Sequence, residues 1–298
     1  MKILLLGKNG QVGWELQRAL APLGELIALD FDSTDYSANF SRPESLAATV
    51  QALRPQIIVN SAAHTAVDKA ESEPDLAHQL NATSAGVIAR EAAAIGATLL
   101  HYSTDYVFDG SGSAPRDELA ATGPLSVYGR TKLVGEELIR ASGCRHLILR
   151  TSWVYASRGG NFARTMLKLA AERETLAVIN DQFGAPTGAD LLADVSAHAL
   201  RALAQNPALA GTYHCVAGGE THWHAYAQFV IEWARARGHA IRVPAAAISA
   251  VPTSAYPTPA RRPLNSRLDT RKLQSAFGLQ LPHWQPGVAR MLTEILPN

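Results

Sequence analysis

The sequence predicts an α/β fold of the Rossmann-like, doubly wound type: a parallel sheet with helices on both faces, and a smaller C-terminal α/β lobe. Three observations predict it. Short, nearly continuous apolar runs alternate with longer stretches whose apolar residues recur every three or four positions. The apolar runs lack the polar–apolar alternation of half-exposed strands, so they read as strands buried on both faces. A glycine-rich turn, Gly7-Lys-Asn-Gly10-Gln-Val-Gly13, joins the first run to the first amphipathic stretch.

In chain order, the candidate strands are residues 2–6, 26–30, 56–60, 98–103 and 146–150. The first helix places Val12, Leu16, Ala19, Leu20 and Leu23 on one face. The second opens at Ser41-Arg-Pro-Glu44, which reads as a capping box with proline in the first turn. It carries Leu46, Val50 and Leu53 and stops at Pro55. A third helix spans about 75–95, closed by Gly96, and a fourth spans about 127–141. After Arg150 the rhythm changes. Helices are expected over 161–173, 188–204 and 224–237, with short strands at 176–179 and 212–216. Residues 244–263, with Pro252, Pro257 and Pro259 inside, read as an extended loop. A nucleotide domain is expected over 1–150 and a substrate lobe, partly interleaved with it, over 151–298.

Hydrophobic residues make up 47% and charged residues 18%, which implies a packed core rather than disorder. Lys and Arg total 27 against 26 Asp and Glu, a net charge of +1. That balance excludes a bulk electrostatic grip on nucleic acid or an anionic membrane. Cys144 and Cys215 form no C-x-x-C pair and read as small buried apolar groups. The N-terminal apolar run ends at Leu6, too short for a signal segment, and no stretch reaches the ~20 apolar residues of a membrane helix. A soluble, cytoplasmic protein is expected.

The glycine turn is a candidate phosphate cradle formed by Gly7, Asn9, Gly10, Gln11, Val12 and Gly13. Gly7 permits the tight turn, Gly10 lets backbone approach a pyrophosphate, and Gly13 lets helix and strand pack closely. The helix start adds free N–H groups and positive partial charge. Asp30 lies 20 residues after Gly10, where a carboxylate can accept from a ribose 2′-hydroxyl and so favour NADH. Lys8 could instead hold a 2′-phosphate, so NADPH stays open.

Tyr128-Gly-Arg-Thr-Lys132 places a phenol and an ammonium four apart on one helix face. A free tyrosine, with a pKa of about 10, is a poor acid–base group near neutrality. A nearby ammonium favours the phenolate and is expected to lower that value. Upstream, Ser103-Thr-Asp-Tyr-Val-Phe-Asp-Gly110 follows a strand, where a hydroxyl can orient a carbonyl toward the phenol. His214, His222 and His224 have no Cys or acid spaced to complete a metal site and read as structural.

Together, the glycine loop, the hydroxyl after a strand and the Y-x-x-x-K pair resemble the extended short-chain dehydrogenase/reductase superfamily. Within it the chain resembles the dTDP-4-dehydrorhamnose reductase family. The segments Asn60-Ser-Ala-Ala-His-Thr-Ala-Val-Asp68, Arg150-Thr-Ser-Trp-Val-Tyr155, Asn180-Asp-Gln-Phe-Gly-Ala-Pro-Thr187 and Arg262-Pro-Leu-Asn-Ser-Arg267 carry that resemblance with the motifs above. It implies NAD(P)H-dependent reduction of the 4-keto group of dTDP-4-dehydro-L-rhamnose, the last step toward dTDP-rhamnose for O-antigen and other surface polysaccharide. It implies a triad of Thr104, Tyr128 and Lys132. Ala63, His64 and Thr65 would line the cofactor, and Asn39 and Phe40 its adenine. Val67, Thr104, Asp105 and Trp153 would face the sugar, while Trp153 could equally be a core residue. Gln182 would touch the nucleotide, and Arg262, or Arg261 beside it, the diphosphate. Some relatives are dimers joined by Mg²⁺, which implies a homodimer here with Glu15, Asp190 and Glu294 as ligands. Two other readings stay open: a nucleotide-sugar epimerase or dehydratase of the same superfamily, and a dinucleotide-binding regulatory subunit.

Overall fold

Every apolar run read as a strand in the first half forms one in the structure, a computed structural model that describes residues 1–296. These are β1 (Lys2–Leu6), β2 (Glu25–Leu29), β3 (Ile57–Asn60), β4 (Thr98–Thr104) and β5 (Arg145–Thr151). They pair in the order β2-β1-β3-β4-β5, all parallel. The later strands are short: β6 (Val154–Tyr155), β7 (Leu176–Ile179), β8 (Phe183–Gly184), β9 (Thr187–Gly188), β10 (Gly211–His214), β11 (Thr221–His222) and β12 (Ile248–Val251). β10 joins the main sheet beside β5 as its sixth parallel strand. The others pair as β11-β8, β12-β7 and β6-β9.

The helices are α1 (Gln11–Leu20), α2 (Pro43–Leu53), α3 (Val67–Ser72), α4 (Pro74–His78), α5 (Ser84–Ile95), α6 (Val127–Ala141), α7 (Phe162–Glu172), α8 (Ala189–Gln205), α9 (Trp223–Arg235), α10 (Arg271–Phe277) and α11 (Trp284–Ile295). Successive residues of β1 face opposite sides, and this divides the core. Ile3 and Leu5 pack with Leu16 and Leu20 of α1, Leu192 and Leu200 of α8, and Leu273 of α10. Leu4 and Leu6 pack with Leu46 and Val50 of α2, Ile88 of α5 and Ile139 of α6. Burial on both faces is why the strand runs are continuously apolar. A separate core unites α7, α9 and α11 through Ala163, Tyr226, Trp284 and Val288. The chain runs outward from β1 to β2 and then crosses back to β3, and such a reversal leaves a crevice at the carboxyl ends of the central strands.

Four local expectations are corrected. Ser41 does not cap α2: the helix starts at Pro43 without a side-chain cap, and Ser41 N–H instead donates to Asn39 Oδ1. The single helix expected over 75–95 is α4, a π-helical turn at Gln79–Thr83, and α5. That turn holds Asn81, which accepts from His64 N–H and donates to the His64 carbonyl and Thr131. Such π-turns recur at functional sites. The loop expected over 244–263 contains β12, because Ile248–Val251 is a proline-free run bracketed by Pro244 and Pro252 and pairs with β7. The strand expected over 212–216 is β10, one residue earlier at its start and shorter at its end. Gly96 caps α5 in the left-handed conformation, as read, and both cysteines are buried and free.

Candidate active site

A cleft of about 640 Å³ opens at the carboxyl ends of β1, β3, β4 and β5. The glycine turn after β1 contributes Gly7, Gly10, Gln11 and Val12, and the end of β2 contributes Asp30. Asn60 to Ala63, with Thr65 and Val67, follow β3. Tyr102 to Tyr106 form the floor at the end of β4, Tyr128 and Lys132 descend from α6, and Thr151 to Val154 follow β5. Trp223, at the start of α9, closes the far side.

The glycine turn is built for close backbone approach. Gly7 has φ +89°, and a Cβ on Gly13 would lie 1.9 Å from the Gly7 carbonyl oxygen. On Gly10 a Cβ would meet nothing closer than 3.5 Å, so that glycine borders open cleft. No side chain caps α1, which leaves its first N–H groups free for an anion. Asp30, at the end of β2, borders the cleft and accepts from Asn9 N–H at 2.8 Å and Phe31 N–H at 2.8 Å. The side chain of Gln11 donates to the Gly160 carbonyl at 3.0 Å.

Tyr128 and Lys132 occupy the first turns of α6, whose start is fixed by Ser126 Oγ accepting from Gly129 N–H. Burial pushes the Tyr128 phenol up to about 12, with the Thr104 hydroxyl pulling the other way. This corrects the lowering expected from Lys132. The reason is positional: Lys132 Nζ donates to the Tyr102 carbonyl at 2.6 Å and lies 3.1 Å from His101 Nε2. Burial brings Lys132 itself down to about 8 against the opposing charge of Glu136. Thr104 Oγ1 donates to Asp105 Oδ1 at 3.1 Å and accepts from Tyr106 N–H at 3.2 Å. Burial raises Asp105 to about 6, and its Oδ2 is buried without a partner. A phenol, a lysine amino group and a hydroxyl thus converge on one cleft beside an anion cradle, an arrangement suited to protonating a bound carbonyl oxygen.

Opposite the phenol stands an aromatic wall. Trp153 stacks on Trp223 with ring centroids 3.7 Å apart and planes 18° from parallel. Trp153 has φ +49°, and its ring lies against the backbone of Gly184, where a Cβ would sit 2.9 Å from it. A bulky residue held in that region is strained, and such strain collects at functional sites. Trp223 Nε1–H donates to Gln182 Oε1 at 3.0 Å, and Gln182 Nε2 donates to Thr253 at 3.1 Å.

Several expected contacts fall elsewhere. Gln182 is buried with both ends of its amide occupied, so it supports Trp223 instead of facing a nucleotide. Phe40 is in the core between α2 and α5, where burying its ring outweighs leaving it at an adenine face. Asn39 turns its side-chain oxygen to the Ser41 N–H, and neither residue lines the cleft. His64 is buried with Nε2 3.5 Å from Glu73, and its backbone is tied to Asn81. Arg262 is paired with Asp68 at 2.6 Å and leaves Nε without a partner. Glu15, Asp190 and Glu294 border one shallow pocket, but Arg290 lies 3.6 Å from Asp190 and 3.3 Å from Glu294. Among the described residues no group of three His, Cys, Asp or Glu side chains is arranged to hold a metal. Sequence reasoning missed Trp223, Asn60 and His101. Trp223 sits in the His222-Trp-His224 triplet, where His222 caps α9 and His224 lies against the Ile248 carbonyl.

Comparison with known proteins agrees with this geometry. The family model described as RmlD substrate binding domain matches residues 1–296. A dTDP-4-dehydrorhamnose reductase of Shigella flexneri is 63% identical over 295 residues, covering 99% of this chain and 98% of that protein. Among solved structures, a dTDP-4-dehydrorhamnose reductase of Clostridium acetobutylicum superposes with a TM-score of 0.88 at 33% identity, covering 98% of both chains. One from Bacillus anthracis, in complex with NADP, gives 0.87 at 33% identity, covering 98% of this chain and 99% of that one.

Proposed function

The chain belongs to the dTDP-4-dehydrorhamnose reductase family, and we infer that it reduces the 4-keto group of dTDP-4-dehydro-L-rhamnose to give dTDP-L-rhamnose. The observation that carries this reading is the convergence of Thr104, Tyr128 and Lys132 on the cleft that the glycine turn also lines. The cradle at Gly7, Gly10 and the start of α1 fits a dinucleotide pyrophosphate, and the reduced nicotinamide would supply the hydride. NADP in the Bacillus anthracis relative supports NADPH, and Asp30 at the cleft supports use of NADH as well.

Each side chain has a distinct task. Thr104 turns the sugar carbonyl toward Tyr128. Burial keeps the Tyr128 phenol protonated, as a general acid must be, and it donates its proton to the carbonyl oxygen. In its charged form Lys132 stabilises the resulting phenolate and offers N–H groups to the nicotinamide ribose. The free oxygen of Asp105 accepts from a sugar hydroxyl. The stacked Trp153 and Trp223 present an apolar face to the deoxysugar ring.

The reading extends to organisation. The nucleotide domain comprises residues 1–150 and the substrate lobe residues 151–298, with β10 and α8 of the second serving the sheet of the first. Among the described residues no helix is long and apolar enough to cross a membrane, which accords with a cytoplasmic site. The protein acts as a homodimer. A resident Mg²⁺ on Glu15, Asp190 and Glu294 does not fit the arrangement, because Arg290 already pairs with two of the three. Sedimentation equilibrium checks both points: a dimer mass unchanged by chelator is expected, and a chelator-dependent mass would reinstate the metal bridge.

The activity is tested by following reduced-nicotinamide absorbance with NADPH or NADH and enzymatically prepared sugar nucleotide. Loss that needs both protein and sugar is expected. Tightly retained NAD⁺ with no net consumption would point to an epimerase-like enzyme, and cofactor binding without turnover to a regulatory subunit.

A further inference from the structure

A buried chain of hydrogen bonds runs beneath the cleft floor from the backbone after β3 to Lys132. Its donors and acceptors can be assigned one link at a time. Ala62 N–H can only donate, and it lies 3.1 Å from Asn60 Oδ1, so that atom is the amide oxygen. Asn60 Nδ2 therefore faces His101 Nδ1, at 3.0 Å, and donates to it. Nδ1 is then the bare nitrogen, and the proton of the neutral ring sits on Nε2. Neutrality follows from place: His101 is 1% exposed, and burial holds it well below the usual histidine range. Nε2–H points at Lys132 Nζ, 3.1 Å away, and Nζ also donates to the Tyr102 carbonyl. With this polarity the lysine nitrogen must accept, which an amine can do and an ammonium cannot.

We propose that His101, locked in one tautomer by Asn60, is a positioning residue for the reduction: its Nε2–H favours the uncharged amine of Lys132 and so sets how many protons that lysine carries. This rests on the reductase reading for its consequence, though not for its geometry. Protonating Lys132 reverses the whole chain. The ring proton must move to Nδ1, the Asn60 amide must turn, and its NH₂ then opposes the half-buried Ala62 N–H, so that two donors face each other. Burial acts in the same direction as this polarity and brings Lys132 to about 8. The charged and titratable groups around the chain are few. Tyr128 lies one helical turn before Lys132, and Glu136, paired with Arg150 of β5, lies one turn after it. His101 faces it from β4, and Asp105 follows that strand. Glu136 opposes the loss of charge and leaves the ionisation near working pH.

Above about pH 8 the amine no longer supports the Tyr128 phenolate, so kcat/KM should fall there. Two substitutions reverse the polarity by different means. Asn60→Asp gives His101 Nδ1–H an acceptor and frees Nε2 to accept from the ammonium. His101→Gln lets an amide oxygen face Nζ without adding charge. Both should move the basic limb of kcat/KM upward by about one pH unit, the equivalent of relieving one opposed pair of donors. The second readout needs no turnover: ¹⁵N correlation spectra of histidine-labelled protein. A ring protonated at Nε2 is expected for His101 in the parent protein, and at Nδ1 in Asn60→Asp. A parent ring protonated at Nδ1 or at both nitrogens would overturn the proposal, as would a basic limb unmoved in both folded variants. Absence of reductase activity with the Nε2–H tautomer present would instead fault the functional reading and leave the assigned polarity standing.

Discussion

Glu136→Gln puts the strongest buried electrostatic contact behind the cleft to the test. Glu136 has no exposed side-chain surface and Arg150 only 4%. The Glu136 carboxylate accepts from Arg150 Nε at 2.9 Å and Nη2 at 2.7 Å, and from Arg140 Nη1 at 3.0 Å. Burial alone would push the carboxyl up, yet the Arg150 bonds and charge outweigh it and leave it below its usual range. The Arg150 guanidinium also lies 5.1 Å from the Phe108 ring centroid. A guanidinium cannot shed its proton to escape burial. Removing one partner of such a pair costs about 3–5 kcal/mol. At about 2–4 °C per kcal/mol for a domain of nearly this size, the thermal midpoint should fall by roughly 6–20 °C. Replacing both partners, Glu136→Leu with Arg150→Met, should restore most of that loss, since no charge is left stranded. Circular-dichroism melts of the parent, Glu136→Gln, Glu136→Leu, Arg150→Met and the double variant measure the loss and close the cycle. A single-variant drop under about 2 °C, or a double-variant loss equal to the sum of the single ones, would refute the assignment.

Three further outcomes follow from the site. Gly10→Ala meets no atom within 3.5 Å, so it should melt with the parent while NADPH titrations show weaker binding; Gly13→Ala, 1.9 Å from the Gly7 carbonyl oxygen, should lose both stability and binding. Equal behaviour of the two would contradict the cradle. Trp223→Phe keeps a ring against Trp153 but strands the buried Gln182 oxygen, at about 1–3 kcal/mol, and should raise the KM for sugar with NADPH affinity unchanged, in steady-state kinetics and cofactor titration. Asp105 has its folded pKa raised from 3.8 to about 6, so the native state holds the extra proton between those values. Stability therefore declines as pH rises through that window, by an amount on the order of 3 kcal/mol that is complete above it. Asp105→Asn should match the parent near pH 4 and melt higher at pH 8; a gap independent of pH would contradict the raised value.

What was legible in the sequence was local. The strand runs of β1 to β5 declared themselves because burial on both faces demands continuous apolar side chains. Gly7, Gly10 and Gly13 were legible because a tight turn between strand and helix has few sequence solutions. Tyr128 and Lys132 share a helix face by spacing alone, and Thr104 is the last residue of its strand. The rest depends on contacts between distant segments. Trp223 reaches the cleft only because α9 packs beside Trp153 across the second lobe. His101 looks like one more strand residue until Asn60 and Lys132 are placed on either side of it. The family resemblance places Phe40 at an adenine face, whereas the core between α2 and α5 claims it. The direction of the Tyr128 shift failed for the same reason: spacing put an ammonium nearby but did not show it turned toward Tyr102 and His101.

The central claim is that this cleft reduces a sugar ketone with Tyr128 as the proton donor. Tyr128→Phe tests it most directly, with NADPH affinity and turnover measured on the same preparation. The account predicts nearly parental cofactor binding and turnover reduced by at least about 10²-fold, the low end for a lost general acid. Near-parental turnover in the folded variant would contradict it.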